Sequence, residues 1–230
     1  MKRNTTFLIV LFSSLMVFSA PQCRLAFNLG GTESFIDVTK LPQGLAINDS
    51  KWAGYFNFGM DGELDVNEYF GASLGIAFEK RGGTKVGNIQ WGAFTVGSGE
   101  IEFNYRYFQI PLYLKGMLPL MIPGSVFICA GPELGVKIES EVVYRYYNNN
   151  ASLIVNADSV TGPVDFGISG LVGYDLPIGW SSGLSLYCGY YYGFIDVYEN
   201  KSQTSSDYNV YQRALKYGIS FYVNFNTARR

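Results

Sequence analysis

Histidine is absent from the 230 residues. Its absence removes the commonest general base, the commonest metal ligand and every Ser-His or Cys-His pairing. Cysteine is scarce: Cys23, Cys129 and Cys188 form no cluster of the kind a zinc site needs. Charged residues make up only 16% of the chain, the net charge is −2, and no basic block occurs. Nucleic acid is therefore not an expected partner. No phosphate-cradling glycine loop precedes a helical pattern. No cofactor or metal is expected, and no pair of carboxylates stands out by spacing for acid–base work. Past the N-terminus, no apolar run approaches the about 20 residues of a membrane-spanning helix.

The N-terminus is the exception to that last scarcity. Lys2-Arg3 precedes the apolar run Phe7-Leu8-Ile9-Val10-Leu11-Phe12, then Leu15-Met16-Val17-Phe18, then Ser19-Ala20. A basic start, a short apolar core and a small-residue exit describe a secretory signal peptide. Residues 1–22 are expected to be that leader, with cleavage between Ser19 and Cys23, and 23–230 a single domain. Pro21-Gln22 is a poor lead-in for lipidation of Cys23.

What the chain has in plenty is aromatic side chains, 17% of residues, and glycine, 27 in all. Eight segments alternate like β-strands: 24–31, 53–64, 68–81, 103–118, 125–141, 162–175, 183–197 and 213–225. The gaps between them alternate too. Four gaps run on the order of 15–22 residues and three about 3–7, against a typical loop of about 4–6. The short gaps carry turn residues, Asp65-Val66-Asn67, Pro123-Gly124 and Pro177-Ile178-Gly179. The long gaps are polar, as in Asn148-Asn149-Asn150 and Lys201-Ser202-Gln203-Thr204-Ser205-Ser206.

Only helices and closed barrels satisfy every backbone group in lipid. An even strand number with short turns at one end and long loops at the other is the rhythm of a membrane-spanning barrel. The expected fold is all-β: an eight-stranded antiparallel up-and-down transmembrane barrel with short periplasmic turns and long extracellular loops. Its location would be a bacterial outer membrane and its first partner outer-membrane lipid.

Every second residue of a strand shares a face. In 125–141, Val126, Ile128, Ala130, Pro132, Leu134, Val136 and Ile138 oppose Phe127, Cys129, Gly131, Glu133, Gly135, Lys137 and Glu139. In 103–118, Phe108, Ile110, Leu112, Leu114 and Leu118 oppose Tyr107, Gln109, Tyr113, Lys115 and Met117. Bulky apolar faces suit lipid. Faces that mix Gly, Ser and charge suit the narrow interior of an eight-stranded barrel. A structural charge network is expected there, with Asp61, Glu63, Glu79, Glu133 and Glu139 opposite Lys115, Lys137 and Lys216. Cys129 and Cys188 fall on opposite sides of the wall. Pro111 and Pro132 sit inside strands and cannot donate to a ladder, which predicts a β-bulge, placed at Gly131.

Tyr107-Phe108-Gln109-Ile110-Pro111-Leu112-Tyr113-Leu114-Lys115 resembles the Y-x-x-I-P-L-x-x-K strand of the PorT-like outer-membrane β-barrel family. Gly131-Pro132-Glu133-Leu134-Gly135 is similar to that family's next strand, and Asp165-Phe166-Gly167 with Gly170 and Gly173-Tyr174 to its sixth. The motif positions are Ile110, Pro111, Leu112, Gly131, Pro132 and Gly135. The resemblance implies an eight-stranded outer-membrane barrel, and its namesake is an accessory of a secretion system. The chain departs from many such barrels in placing Asn226-Thr227-Ala228-Arg229-Arg230 after Phe225, which puts the expected insertion signal internally, at Phe221–Phe225.

Four roles are compatible with these features. The leading one is non-enzymatic: a scaffold or anchor, or an accessory to a secretion or surface assembly through its long loops. A small-solute pore, a soluble lipocalin-like binding barrel with its apolar face turned inward, and an outer-membrane enzyme are the others. The oligomeric state is not encoded in any feature of the chain.

Overall fold

The computed structural model describes residues 21–38, 46–91, 94–147, 152–158, 161–197 and 209–226. Residues 1–20, the body of the expected leader, lie outside them, as do the polar runs 148–150 and 201–206.

Ten strands are present among the described residues: β1 (Gln22–Val38), β2 (Ala46–Lys51), β3 (Ala53–Asp65), β4 (Phe70–Trp91), β5 (Phe94–Pro119), β6 (Ser125–Tyr146), β7 (Ser152–Asn156), β8 (Val164–Pro177), β9 (Ser182–Gly193) and β10 (Val210–Asn226). Eight of them close a ring in the order β1-β3-β4-β5-β6-β8-β9-β10, every pairing antiparallel. Closure rests on β1 with β10, from Gln22 opposite Asn226 to Val38 opposite Val210. The short strands β2 and β7 lie beside the upper parts of β4 and β6, ahead of β3 and β8. A closed ring leaves no edge for lipid to strand, which is why eight alternating segments settle into this shape.

The strands run further than the sequence reading had them. The stretch 82–102, expected as a loop, is mostly a continuation of β4 and β5, which pair from Gly82 with Asn104 up to Trp91 with Phe94. Glycines hide this in the sequence by interrupting the alternation. One is there because the strands approach too closely for anything else: a Cβ on Gly82 would meet the Phe103 carbonyl oxygen at 1.8 Å. At the opposite end, Gly124 closes the β5–β6 turn with φ at 128°, a conformation that favours glycine.

The β-bulge expected at Gly131 does not form. Register is unchanged across both prolines: Pro111 opposes Glu133, and Pro132 opposes Ile168 in an uninterrupted β6–β8 ladder. Pro111 and Pro132 therefore lie on opposite faces because they are one step apart in a regular register, with no bulge at Gly131. The β5–β6 irregularity falls instead between Arg106 and Tyr107, where Glu139 and Lys137 pair and Ile138 is the extra residue. It reverses the faces of β6. Below it the odd residues Phe127, Cys129 and Glu133 are buried; above it Ser140 and Val142 are.

Candidate functional site

Apolar side chains face out along the lower two-thirds of the wall. Phe56, Phe58, Leu74, Phe78, Leu112, Leu114, Ile128, Ile168, Leu186 and Ile219 are all exposed. No described helix is long and apolar enough to cross a membrane, a finding that leaves crossing by strands open. The belt on β5 runs from Phe108 to Leu118, near the 9–11 residues that span a bilayer core. It ends where Lys80 pairs with Arg106 and Arg106 with Glu139. This distribution overturns the soluble-barrel alternative, which needs the apolar face inside.

The interior carries the polar side chains, in two tiers. In the upper tier Arg81 is fully buried. Its guanidinium donates to Glu79 at 2.9 Å, Glu133 at 2.8 Å and Asp165 at 3.1 Å. The Tyr191 ring covers it at 3.6 Å from the ring centre. Lys216 reaches Glu79 at 3.0 Å and Glu133 at 2.7 Å. Tyr113 and Ser169 also donate to Glu133, Thr32 donates to Glu79, and Tyr191 to Asp165. Three carboxylates are thus held by two cations and four hydroxyls, with bifurcated guanidinium geometry that lysine cannot supply.

The lower tier lies toward the short turns. Arg24 bridges Asp65 at 2.7 Å and Asp175 at 2.9 Å, and Lys115 bridges Glu63 at 2.8 Å and Asp175 at 3.1 Å. Between the tiers is a polar cavity of about 100 Å³, lined by Asp61, Glu63, Gln109, Lys115, Glu133 and Lys216 among others. It has room for several water molecules. Asp61 accepts from Asn28 at 2.5 Å, and the Gln109 amide, 1% exposed, makes no hydrogen bond among the described residues. Above the upper tier, Ile36, Tyr105, Tyr107, Val197 and Val210 pack into an apolar cluster across the lumen.

Of the charge set read from the sequence, Glu79, Glu133 and Lys216 meet in the upper tier, Glu63 and Lys115 in the lower, and Asp61 lines the cavity. Two residues fall elsewhere. Glu139 is on the outer surface, paired with Arg106, because the extra residue Ile138 turns it out. Lys137 leaves the lumen network for the upper end, where it donates to Thr161 at 2.7 Å and 2.6 Å. The motif residues Ile110, Pro111, Leu112, Gly131, Pro132 and Gly135 are wall positions; the Gln109 amide nitrogen sits 2.8 Å from where a Cβ on Gly135 would be. The sequence reading did not select Arg24, Arg81, Asp165 or Asp175. A signal was present for the last two, which share parity with Gly167, Ser169 and Gly173 on the small-residue face.

Among the described residues, no group of His, Cys, Asp and Glu is arranged to hold a metal ion. Cys129 is buried inside and Cys188 exposed outside, so the two do not meet.

The family comparison matches the outer membrane protein beta-barrel domain over residues 20–199. The chain belongs to that family. As an outer-membrane barrel it resides in the bacterial outer membrane, with its short turns on the periplasmic side by the rule for such barrels. Comparison with curated proteins found no match. Among solved structures, it is similar to Neisserial surface protein A at 10% identity, covering 87% of this chain and 97% of that one, with a TM-score of 0.44. OprG from Pseudomonas aeruginosa is 11% identical over 88% and 95%, with a TM-score of 0.46. The outer membrane protease OmpT from Escherichia coli is 9% identical over 91% and 99%, also at 0.46.

Two of the three periplasmic turns of this outer-membrane barrel expose two or more large apolar side chains. Leu120, Met121 and Ile122 fill one, Ile178 and Trp180 its neighbour, and Trp180 is 100% exposed. Trp side chains favour the membrane–water boundary. In a variant keeping only this tryptophan (Trp52→Phe, Trp91→Phe), lipids brominated near the carbonyls should quench Trp180 fluorescence more strongly than lipids brominated near the chain ends. Quenching by aqueous acrylamide alone would place the turn in the periplasm instead.

Proposed function

We propose that the protein is a closed, non-enzymatic barrel that anchors a β-sheet above the outer membrane as an accessory to a secretion or surface assembly. The observation that carries this is the packed lumen: a fully buried Arg81 ringed by carboxylates, with an apolar cluster above it. An eight-stranded barrel filled in this way offers neither a through-channel nor a substrate cleft. The PorT-like resemblance at Ile110-Pro111-Leu112 and Gly131-Pro132 supports the accessory role, although shared wall strands speak more to fold than to role.

The sheet above the membrane is the surface best suited to a partner. It is built from the upper parts of β4, β5 and β6 with β2 and β7 beside them. β7 pairs only with β6 among the described residues, and its Leu153, Ile154 and Val155 are exposed, Ile154 at 65%. An unpaired apolar edge is a template for another strand. At this end Ser140 hydrogen-bonds Asp158 and holds its carboxyl below the usual range, which fastens the segment after β7 to β6.

The test has two parts. The purified protein in planar lipid bilayers should show no steady conductance; stable single-channel openings would replace the scaffold with a pore. In cells, photo-crosslinkers at Leu153 and Ile154 should capture a discrete outer-membrane or surface protein that crosslinkers at Leu112 in the belt do not. Equal capture from both positions would remove the edge as the partner surface.

A further inference from the structure

The lipid belt is not smooth. On β5 the outward positions run Phe108, Ile110, Leu112, Leu114, Gly116, Leu118, and Gly116 leaves a gap in an otherwise bulky row. Phe70, Leu118, Val126, Ile128 and Val172 stand around it, and Met117 and Phe127 form its floor. The result is a groove of about 320 Å³ in the wall, almost entirely apolar in its lining. A side chain at Gly116 would be tolerated: its Cβ would meet only Ile128 at ordinary contact distance, 3.5 Å and beyond. The gap is therefore not forced by backbone crowding, unlike the one at Gly82.

The groove lies toward the periplasmic end of the belt. Gly116 pairs with Phe70 on β4 and with Ile128 on β6, and Tyr69 forms its lower rim. Immediately below is Glu68, exposed in the β3–β4 turn and hydrogen-bonded to the Tyr69 hydroxyl. Arg24, Asp65 and Asp175 line the same lumen mouth as Glu68, and the Arg24 guanidinium is already engaged by the two aspartates. Glu68 is thus an exposed carboxylate at the rim between the lumen mouth, whose cavity it lines, and the apolar slot that Tyr69 borders on the lipid-facing side.

We propose that this groove is a binding site for one aminophospholipid of the inner leaflet. An acyl chain lies over Gly116, and the primary ammonium of an ethanolamine-type headgroup donates to Glu68. The groove supplies the affinity, since apolar area removed from mobile lipid contact adds dispersion with a fixed wall. The headgroup supplies the choice: an ammonium is attracted to Glu68 and can hydrogen-bond it, whereas the anionic phosphoglycerol headgroup is repelled.

The whole protein in detergent is titrated with phosphatidylethanolamine or phosphatidylglycerol of matched chains, and bound lipid is read by native mass spectrometry. One phosphatidylethanolamine per barrel is expected, at several-fold higher occupancy than phosphatidylglycerol. Gly116→Leu should reduce occupancy by both lipids about tenfold, while retaining the mobility shift on boiling that marks a folded barrel. Glu68→Gln should leave total occupancy close to that of the parent and abolish the preference. If Gly116→Leu were to misfold, Gly116→Ala provides a milder filling, with an intermediate loss expected. Occupancy indifferent to Gly116 would show lipid adhering anywhere on the belt and overturn the site. A preference that survives Glu68→Gln would overturn the headgroup assignment.

Discussion

Replacing Arg81 by methionine is expected to destabilise the barrel by about 3–5 kcal/mol, the range for removing one partner of a buried ion pair. Arg81 touches Glu79, Glu133 and Asp165 at once. Without it, Glu79 and Glu133 share Lys216 and Asp165 keeps no cation, in a buried site. Loss of a neutral hydrogen bond would cost only about 1 kcal/mol, so the magnitude identifies the cause. Arg81→Lys should recover part of the loss, because an ammonium restores the charge but not the fork that meets Glu79, Glu133 and Asp165 from one plane. The second substitution Asp165→Asn, made on top of Arg81→Met, should recover part as well. Asp165 takes hydrogen bonds from Arg81 and Tyr191, and neutralising it removes one carboxylate that has lost its cation. Contacting residues of this kind couple by roughly 0.5–3 kcal/mol. The measurement is urea unfolding in lipid vesicles, followed by loss of the heat-modifiable band. A penalty under 1 kcal/mol for Arg81→Met would mean that water in the lumen, rather than the guanidinium, satisfies these carboxylates.

The tiers show what was legible in the chain and what was not. Glu79, Glu133 and Lys216 could be assigned to one network from parity alone, because each sits among Gly, Ala or Ser on a face opposite bulky apolar residues. Parity fails where the count shifts. Ile138 adds one residue to β6, and nothing in Val136-Lys137-Ile138-Glu139-Ser140 announces it, so Glu139 was assigned inward while it pairs with Arg106 outside. The prolines misled for a related reason. Their opposite faces suggest an insertion from the sequence, whereas a one-step offset in a regular register accounts for them. The sheet above the membrane was missed because Gly82, Gly83, Gly87 and Gly99 break the alternation that marks a strand. Asp165 and Asp175 were on the right face, but which carboxylates converge on one guanidinium depends on the shear between β4 and β8. That is a property of ring closure and not of any single segment.

Leu114→Arg tests the outer face where the effect should be largest on that side of the wall. Leu114 is 74% exposed and sits near the middle of the β5 belt. Arginine at the bilayer midplane of an outer-membrane barrel costs about 2–4 kcal/mol, falling to about 0–1 near the interfaces. An exposed leucine of a water-soluble protein would tolerate the same change within about 0.5 kcal/mol. The two environments therefore predict penalties several-fold apart from one substitution, with no difference in contacts inside the protein. A graded series sharpens the test. Leu118→Arg, one step from Pro119 at the end of β5, should cost less than Leu114→Arg. Phe108→Arg, beside the Lys80–Arg106–Glu139 row, should also fall below the midplane value. The penalty in vesicles should thus peak between the two ends of β5 and decline toward both. A flat profile would mean that the side chains escape the bilayer at every height, and that the belt is thinner than its run of apolar residues.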